Sequence, residues 1–110
     1  MGRFIKGDIV VLNFPFSDLS GAKRRPALVL ADVSGNDLIL CQITSQNKTD
    51  GYSILLENED YEKGTLSLKS NVRPNKIFTA DENLILYIAC KINAERMEKI
   101  INSLINILNS

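Results

Sequence analysis

Histidine is absent from the 110 residues, and that absence excludes more chemistry than any single motif admits. Imidazole is the usual proton carrier near neutral pH and the middle member of nucleophilic triads, so triad hydrolases and His-pair nucleases are excluded. Only two cysteines occur, Cys41 and Cys90, far apart and each within an apolar run. They make no disulfide scaffold and, without histidine, no zinc site, so buried free thiols are expected. The GxGxxG, GxxxxGK[ST] and HExxH patterns are missing as well, which removes the common dinucleotide, nucleotide-triphosphate and metalloprotease signatures. No cofactor and no metal are expected. No apolar run approaches the roughly 20 residues that span a bilayer, and Met1 to Gly7 lacks the continuous apolar stretch of a secretion signal. A cytoplasmic protein with no membrane partner is therefore expected. Charge of one sign is lacking too: Lys plus Arg and Asp plus Glu both count 13, so no global field draws the chain to a polyanion, and any such site must be a local patch.

What is present is a globular composition, 45% hydrophobic and 24% charged, read as one domain over residues 1–110. A chain this short buries only roughly 65% of its unfolded surface, which leaves dimerisation open. Asp8 to Phe14, bounded by Gly7 and Pro15, is rich in β-branched and aromatic residues and predicts a strand. Pro15 to Arg25 contains Ser17-Asp18-Leu19-Ser20-Gly21 and predicts a long loop. Pro26 to Ala31 predicts a second strand with proline at its first position. Leu38 to Thr44 is its hairpin return, apolar enough for burial on both faces. Tyr52 to Leu56 is a short apolar run, and the acidic stretch Glu57 to Glu62 predicts a solvated loop. Thr65 to Arg73 alternates as a half-exposed strand, to be broken or turned at Pro74. Thr79-Ala80-Asp81-Glu82 has the spacing of a capping box, and Leu84 to Ile92 returns to strand composition. From Asn93, a predicted N-cap, apolar residues at Met97, Ile100, Ile101, Leu104 and Leu108 recur at helical spacing. Ile105 and Ile107 widen that face, which fits packing of the helix across the chain's own barrel and leaves a partner surface as the alternative. The expected fold is mainly β with a C-terminal α-helix, a small SH3-like barrel or coiled antiparallel sheet.

Three segments bring polar groups to strand ends, where function usually sits. Lys23-Arg24-Arg25-Pro26 places three cations side by side, and in an extended chain they cannot share one face. Thr44-Ser45-Gln46 offers hydroxyl and amide donors, and Lys69-Ser70-Asn71-Val72-Arg73 is a second basic strand end. Taken singly, each also reads as turn or solvated surface. Together, Gly7-Asp8-Ile9-Val10-Val11-Leu12, Phe14 to Gly21, Arg25-Pro26-Ala27-Leu28-Val29-Leu30, Ile43-Thr44-Ser45 and Ser70-x-Val72-Arg73-x-x-Lys76-Ile77-Phe78-Thr79 resemble the MazF/PemK family of type II toxin–antitoxin toxins, in its PemK-like branch.

That resemblance implies a homodimeric toxin, restrained by a cognate antitoxin, that cleaves single-stranded RNA without a metal. The ribose 2′-OH would attack the adjacent phosphate, leaving a 2′,3′-cyclic phosphate and a 5′-OH. The family's catalytic arginine carries over to Arg25 and its catalytic threonine to Thr44. Arginine holds its proton too firmly to be an ordinary base but clamps phosphate well, so Arg25 is expected to stabilise charge and Thr44 to orient the phosphate or the 2′-OH. RNA contacts are expected from Phe16, Ser17, Asp18 and Lys23, from Arg24, Ser45 and Gln46, and from Lys69, Ser70 and Arg73. Arg73 aligns with the family's second arginine. Some relatives carry a carboxylate soon after it as a candidate base, where this chain has Asn75. Two other readings stand beside the nuclease: a CcdB-like poison that binds DNA gyrase through its terminal helix, and an SH3-like binding module without toxicity.

Overall fold

The apolar, β-branched runs become strands because each finds a hydrogen-bonding neighbour. The structure is a computed structural model that describes residues 3–14, 23–33, 35–46 and 51–110, with Phe14 and Lys23 described by their backbone. β1 (Asp8–Phe14), β2 (Lys23–Asp32) and β3 (Asp37–Thr44) form an antiparallel meander, in which Ile9 lies opposite Leu28 and Leu28 opposite Cys41. β4 (Ile54–Leu55), β5 (Tyr61–Lys63), β6 (Asn71–Asp81) and β7 (Ile85–Ile92) extend it to an antiparallel sheet of order β4-β6-β3-β2-β1-β7-β5, and α1 (Ala94–Leu108) follows. Gly7, at φ +101°, makes the sharp entry into β1 that a side chain would strain. Register shifts interrupt the β1–β7, β2–β3 and β3–β6 pairings, and such bulges bend and twist a sheet. The result is a mainly β, coiled half-barrel with one terminal helix, as the composition led us to expect.

Both faces of the central strands are buried, which accounts for the near-continuous apolar run of β3. On one face Ile9, Leu28, Cys41, Val72 and Ile92 pack with Met97 and Ile100 of α1. On the other, Val10, Leu12, Val29, Leu38 and Leu40 close around Phe4 and Ala80. Asn93 caps α1 as expected, its side-chain oxygen accepting from the Arg96 N–H at 2.8 Å. The helix packs inward through Met97 and Ile100, with Ile101 and Leu104 half-buried against the same core, while Leu108 is 67% exposed. Both thiols are free and buried.

Several local expectations are corrected. β2 begins at Lys23, so Pro26 is internal to it; it lies where β2 pairs with β1 and where the β3 ladder has not yet begun, so its missing N–H removes no rung there. Residues 65–70 alternate in pattern but have no pairing neighbour, and are not a strand. Pro74 does not end β6. Cys41 faces Ile77 and Gln42 faces Arg73, so Pro74 to Lys76 form an insertion that absorbs the proline. The cap before β7 is Asp81, whose carboxylate accepts from the Asn83 N–H at 2.8 Å, while Thr79 stays paired with Ile39 in the sheet. The acidic stretch is only partly solvated. Asp60 is 5% exposed, accepts from the Glu57 N–H at 2.7 Å and lies 3.0 Å from Arg96 Nε. That nitrogen misses hydrogen-bond alignment, so the contact is an ion pair.

Ile100 is fully buried, and Ile100→Ala should cost about 2–5 kcal/mol in urea unfolding, whereas Leu108→Ala should stay within about 0.5 kcal/mol of the parent. Burial also pushes the Cys41 thiol from 9.0 up to about 12 and the Cys90 thiol up to about 11. The folded form therefore keeps protons that the unfolded chain releases, a contribution complete below the unfolded value and lost as pH rises from about 9 toward 12. The urea midpoint should fall over that window, and fall less in a Cys41→Ala, Cys90→Ala double variant measured alongside.

Candidate nucleic-acid interface

The register of β2, β3 and β6 builds the candidate site. Ala27 pairs with Gln42 and Gln42 with Arg73, forming one row across the three strands; Thr44 pairs with Asn71 two residues further along. Continuing the β2–β3 register by the same two residues sets Arg25 across from Thr44. Side chains two apart on a strand share a face, so Arg25, Thr44, Gln42 and Arg73 form a patch at the end of the sheet. With strands about 4.8 Å apart, Arg25 and Arg73 lie on strands about 10 Å apart with Thr44 on the strand between them.

Local hydrogen bonds hold this end in place. Thr44 Oγ1 accepts from the Gln46 N–H at 3.1 Å, which turns the chain back on itself and leaves the hydroxyl proton to donate outward. The Asn71 amide donates to the Gln46 carbonyl at 3.3 Å, tying the turn to β6. Ser70 is buried and its hydroxyl donates to the Leu68 carbonyl at 2.8 Å.

These elements border a cleft of about 840 Å³. Arg24, Arg25 and Arg73 line it, together with the polar groups of Thr44, Ser45 and Gln46. The far wall is residues 65–68, with Tyr87 of β7 beside it. Arg25 is half-buried and Arg24 exposed, the division that adjacent cations on a strand require. Among the described residues no carboxylate, imidazole or thiol lines the cleft. A chain of zero net charge thus brings three arginines to the border of one cleft, and guanidinium forks match phosphate oxygens two at a time.

Of the residues singled out from the sequence, Arg24, Arg25, Thr44, Ser45, Gln46, Ser70 and Arg73 converge on the cleft. Ser70 braces its wall, since its proton is committed to Leu68. Lys69 is exposed and does not line the cleft. Phe16, Ser17 and Asp18 lie outside the described residues, as does the Lys23 side chain. Asn75 falls within the β6 insertion and is not part of the lining. Sequence reasoning missed Gln42, the one polar interruption of the β3 run, and Tyr87, the one aromatic of β7; both line the cleft.

Comparison with known proteins bears on the fold and the family. The family described as "PemK-like, MazF-like toxin of type II toxin-antitoxin system" matches residues 5–108. No curated protein sequence matches. Among solved structures, a MazE–MazF complex from Deinococcus radiodurans superposes with a TM-score of 0.78 at 21% identity, covering 98% of each chain. MazF from the same organism gives 0.77 at 21% identity over 100% of both chains. An endoribonuclease from a mycobacterial species gives 0.74 at 17% identity, covering 99% of this chain and 94% of the other. At these identities the likeness establishes the fold.

Inorganic phosphate should raise the melting temperature more than chloride at matched ionic strength, by mass action on the native state. An Arg25→Ala, Arg73→Ala double variant should lose most of that difference, as measured by thermal unfolding.

Proposed function

The chain belongs to the PemK-like, MazF-like toxin family of type II toxin–antitoxin systems, and on that premise we propose that it is an endoribonuclease that cleaves single-stranded RNA. The observation that carries this reading is the cleft bordered by Arg24, Arg25, Arg73 and Thr44, with no carboxylate among the described lining residues. A donor set of guanidiniums, hydroxyls and amides suits a phosphodiester and does not suit a divalent cation, so cleavage is expected to proceed in EDTA.

In the proposed reaction the ribose 2′-oxygen forms a bond to the adjacent phosphorus as the bond to the 5′-oxygen breaks. The 2′-OH gives up its proton and the leaving 5′-oxygen gains one, producing a 2′,3′-cyclic phosphate and a 5′-OH. DNA has no 2′-OH and is not a substrate. Arg25 and Arg73, on strands either side of Thr44, hold the phosphate oxygens as charge builds on them, and Thr44 donates its hydroxyl proton to the same group. Preorganised donors of this kind usually supply the largest share of such catalysis. Solved relatives include MazE–MazF complexes and a mycobacterial endoribonuclease with its cognate antitoxin; by that likeness an antitoxin partner is proposed for this chain. A homodimer is proposed as well, and the exposed Ile105 and Leu108 of α1 are apolar surface it could cover. The same exposed helix end is what a gyrase-binding poison would use, which makes it the second reading.

Purified protein incubated with end-labelled RNA and matching DNA in EDTA should cut the RNA alone and leave cyclic phosphate ends. Arg25→Ala should lower the rate at least about 100-fold with unchanged circular dichroism. RNA affinity should fall with salt at a logarithmic slope of about −2, as three contacted phosphates require. Growth arrest that survives Arg25→Ala but is lost on changing Ile107 would favour the gyrase-type reading.

A further inference from the structure

Two of the large apolar side chains that line the cleft are exposed: Tyr87 at 52% and Leu68 at 64%. Apolar groups held in water beside a cationic cleft call for an occupant. Leu68 is held there by its neighbours. Leu66 packs against the core two residues earlier, and the Leu68 carbonyl accepts from the buried Ser70 hydroxyl at 2.8 Å. Tyr87 is fixed by the sheet, because Val11 lies opposite both Tyr87 on β7 and Pro26 on β2. The aromatic therefore shares the sheet face of Pro26 and, two residues along β2, of Arg24, and stands two strand spacings, about 10 Å, from that strand. That separation leaves room for a sugar and a base beside a phosphate held by Arg24.

We propose that Tyr87 and Leu68 form a base-binding subsite, in which an unpaired RNA base stacks on the Tyr87 ring and packs against Leu68 beside a backbone phosphate that Arg24 holds. The subsite rests on the nuclease reading and deepens it. Every base offers a π-face to an aromatic platform, so stacking of this kind tolerates sequence. Tyr87 is accordingly a positioning residue that sets where the strand lies, while hydrogen-bond donors elsewhere in the cleft read the bases. It also accounts for a preference for single strands, since a paired base cannot enter the gap.

The test uses a single-stranded RNA made uncleavable by 2′-deoxy substitution at the position where the wild-type protein is found to cut. Tyr87→Ala should weaken its binding about 5- to 150-fold, and Tyr87→Phe should keep binding within about twofold, because the ring and not the hydroxyl stacks. Removing bases from the RNA one at a time should reveal one position whose loss costs the wild type as much as Tyr87→Ala does, and costs the Tyr87→Ala variant nothing further. The chain contains no tryptophan, so Tyr87→Trp installs a unique fluorophore whose emission should be quenched on RNA binding. If the wild type neither binds nor cleaves RNA, the nuclease reading fails and takes the subsite with it. If the wild type binds and cleaves while Tyr87→Ala matches it, or the Tyr87→Trp emission does not respond, the subsite alone is overturned. A change in sedimentation on Tyr87→Ala, with RNA affinity per folded protomer unaltered, would assign Tyr87 to a protein interface and overturn it equally.

Discussion

Backbone pairing along both edges of β3 is the constraint on which the cleft depends. β2 on one side and β6 on the other come from distant parts of the chain, and only the shared ladder puts Arg25, Thr44 and Arg73 at one end of the sheet. The insertion at Pro74 to Lys76 is part of that register: it lets β6 keep pairing from Asp81 down to Asn71 while its phase changes between Ile77 and Arg73. A straight strand would carry Arg73 to another position along β3. Burial on both faces of the sheet then fixes the register, because a slip of one residue would exchange the two core layers.

Charge is sorted by the same architecture. Acidic groups are used at turns and termini, where they satisfy backbone donors. Asp8 accepts from the Ile5 N–H at 3.0 Å, Asp60 from the Glu57 N–H, and Asp81 from the Asn83 N–H. Asp60 also holds Arg96 and, through its carbonyl, the Asn93 N–H at 2.8 Å, bolting the turn before β5 to the start of α1. With these carboxylates engaged elsewhere, the described cleft residues keep a one-sided positive lining in a chain whose charges cancel overall. The Arg3–Glu82 pair, at 3.7 Å with the Arg3 side chain in solvent, adds little by comparison, since solvent screens such pairs.

The non-strand segment 65–70 has a part that its pattern concealed. Lacking a pairing neighbour, it lies across the cleft as a wall, anchored by Leu66 in the core and tied to β4 through the Leu56 N–H and the Ser70 carbonyl at 2.9 Å. A wall of this kind, bent at Ser67 and Leu68, presents side chains to a ligand without a ladder to restrict their spacing. Together with Tyr87 it gives the cationic cleft an apolar side, which a strand of nucleotides, charged along one edge and aromatic along the other, would complement.

The sequence by itself determined the strand composition, the capped terminal helix with Asn93 at its start, the burial of both cysteines, and the segments that would carry charge. These are local properties: β-branched runs, a 3.6-residue period and a capping side chain act over a few residues. It also marked Arg25, Thr44 and Arg73 through their resemblance to a known family. What only the tertiary structure decided depends on partners distant in the chain. Alternation at Thr65 to Arg73 looked like a strand, but strand formation needs a continuous ladder with a neighbour, and residues 65–70 take part in none. Pro74 looked like a break, yet an insertion opposite β3 accommodates it. Lys69 and Arg73 looked equivalent as basic residues near one strand end, and only the β3–β6 register sends Arg73 into the cleft and leaves Lys69 outside it. Tyr87 carries no local signal at all, because its place on the cleft, across β1 from Pro26, exists only once β1 has paired with β7 on one edge and β2 on the other.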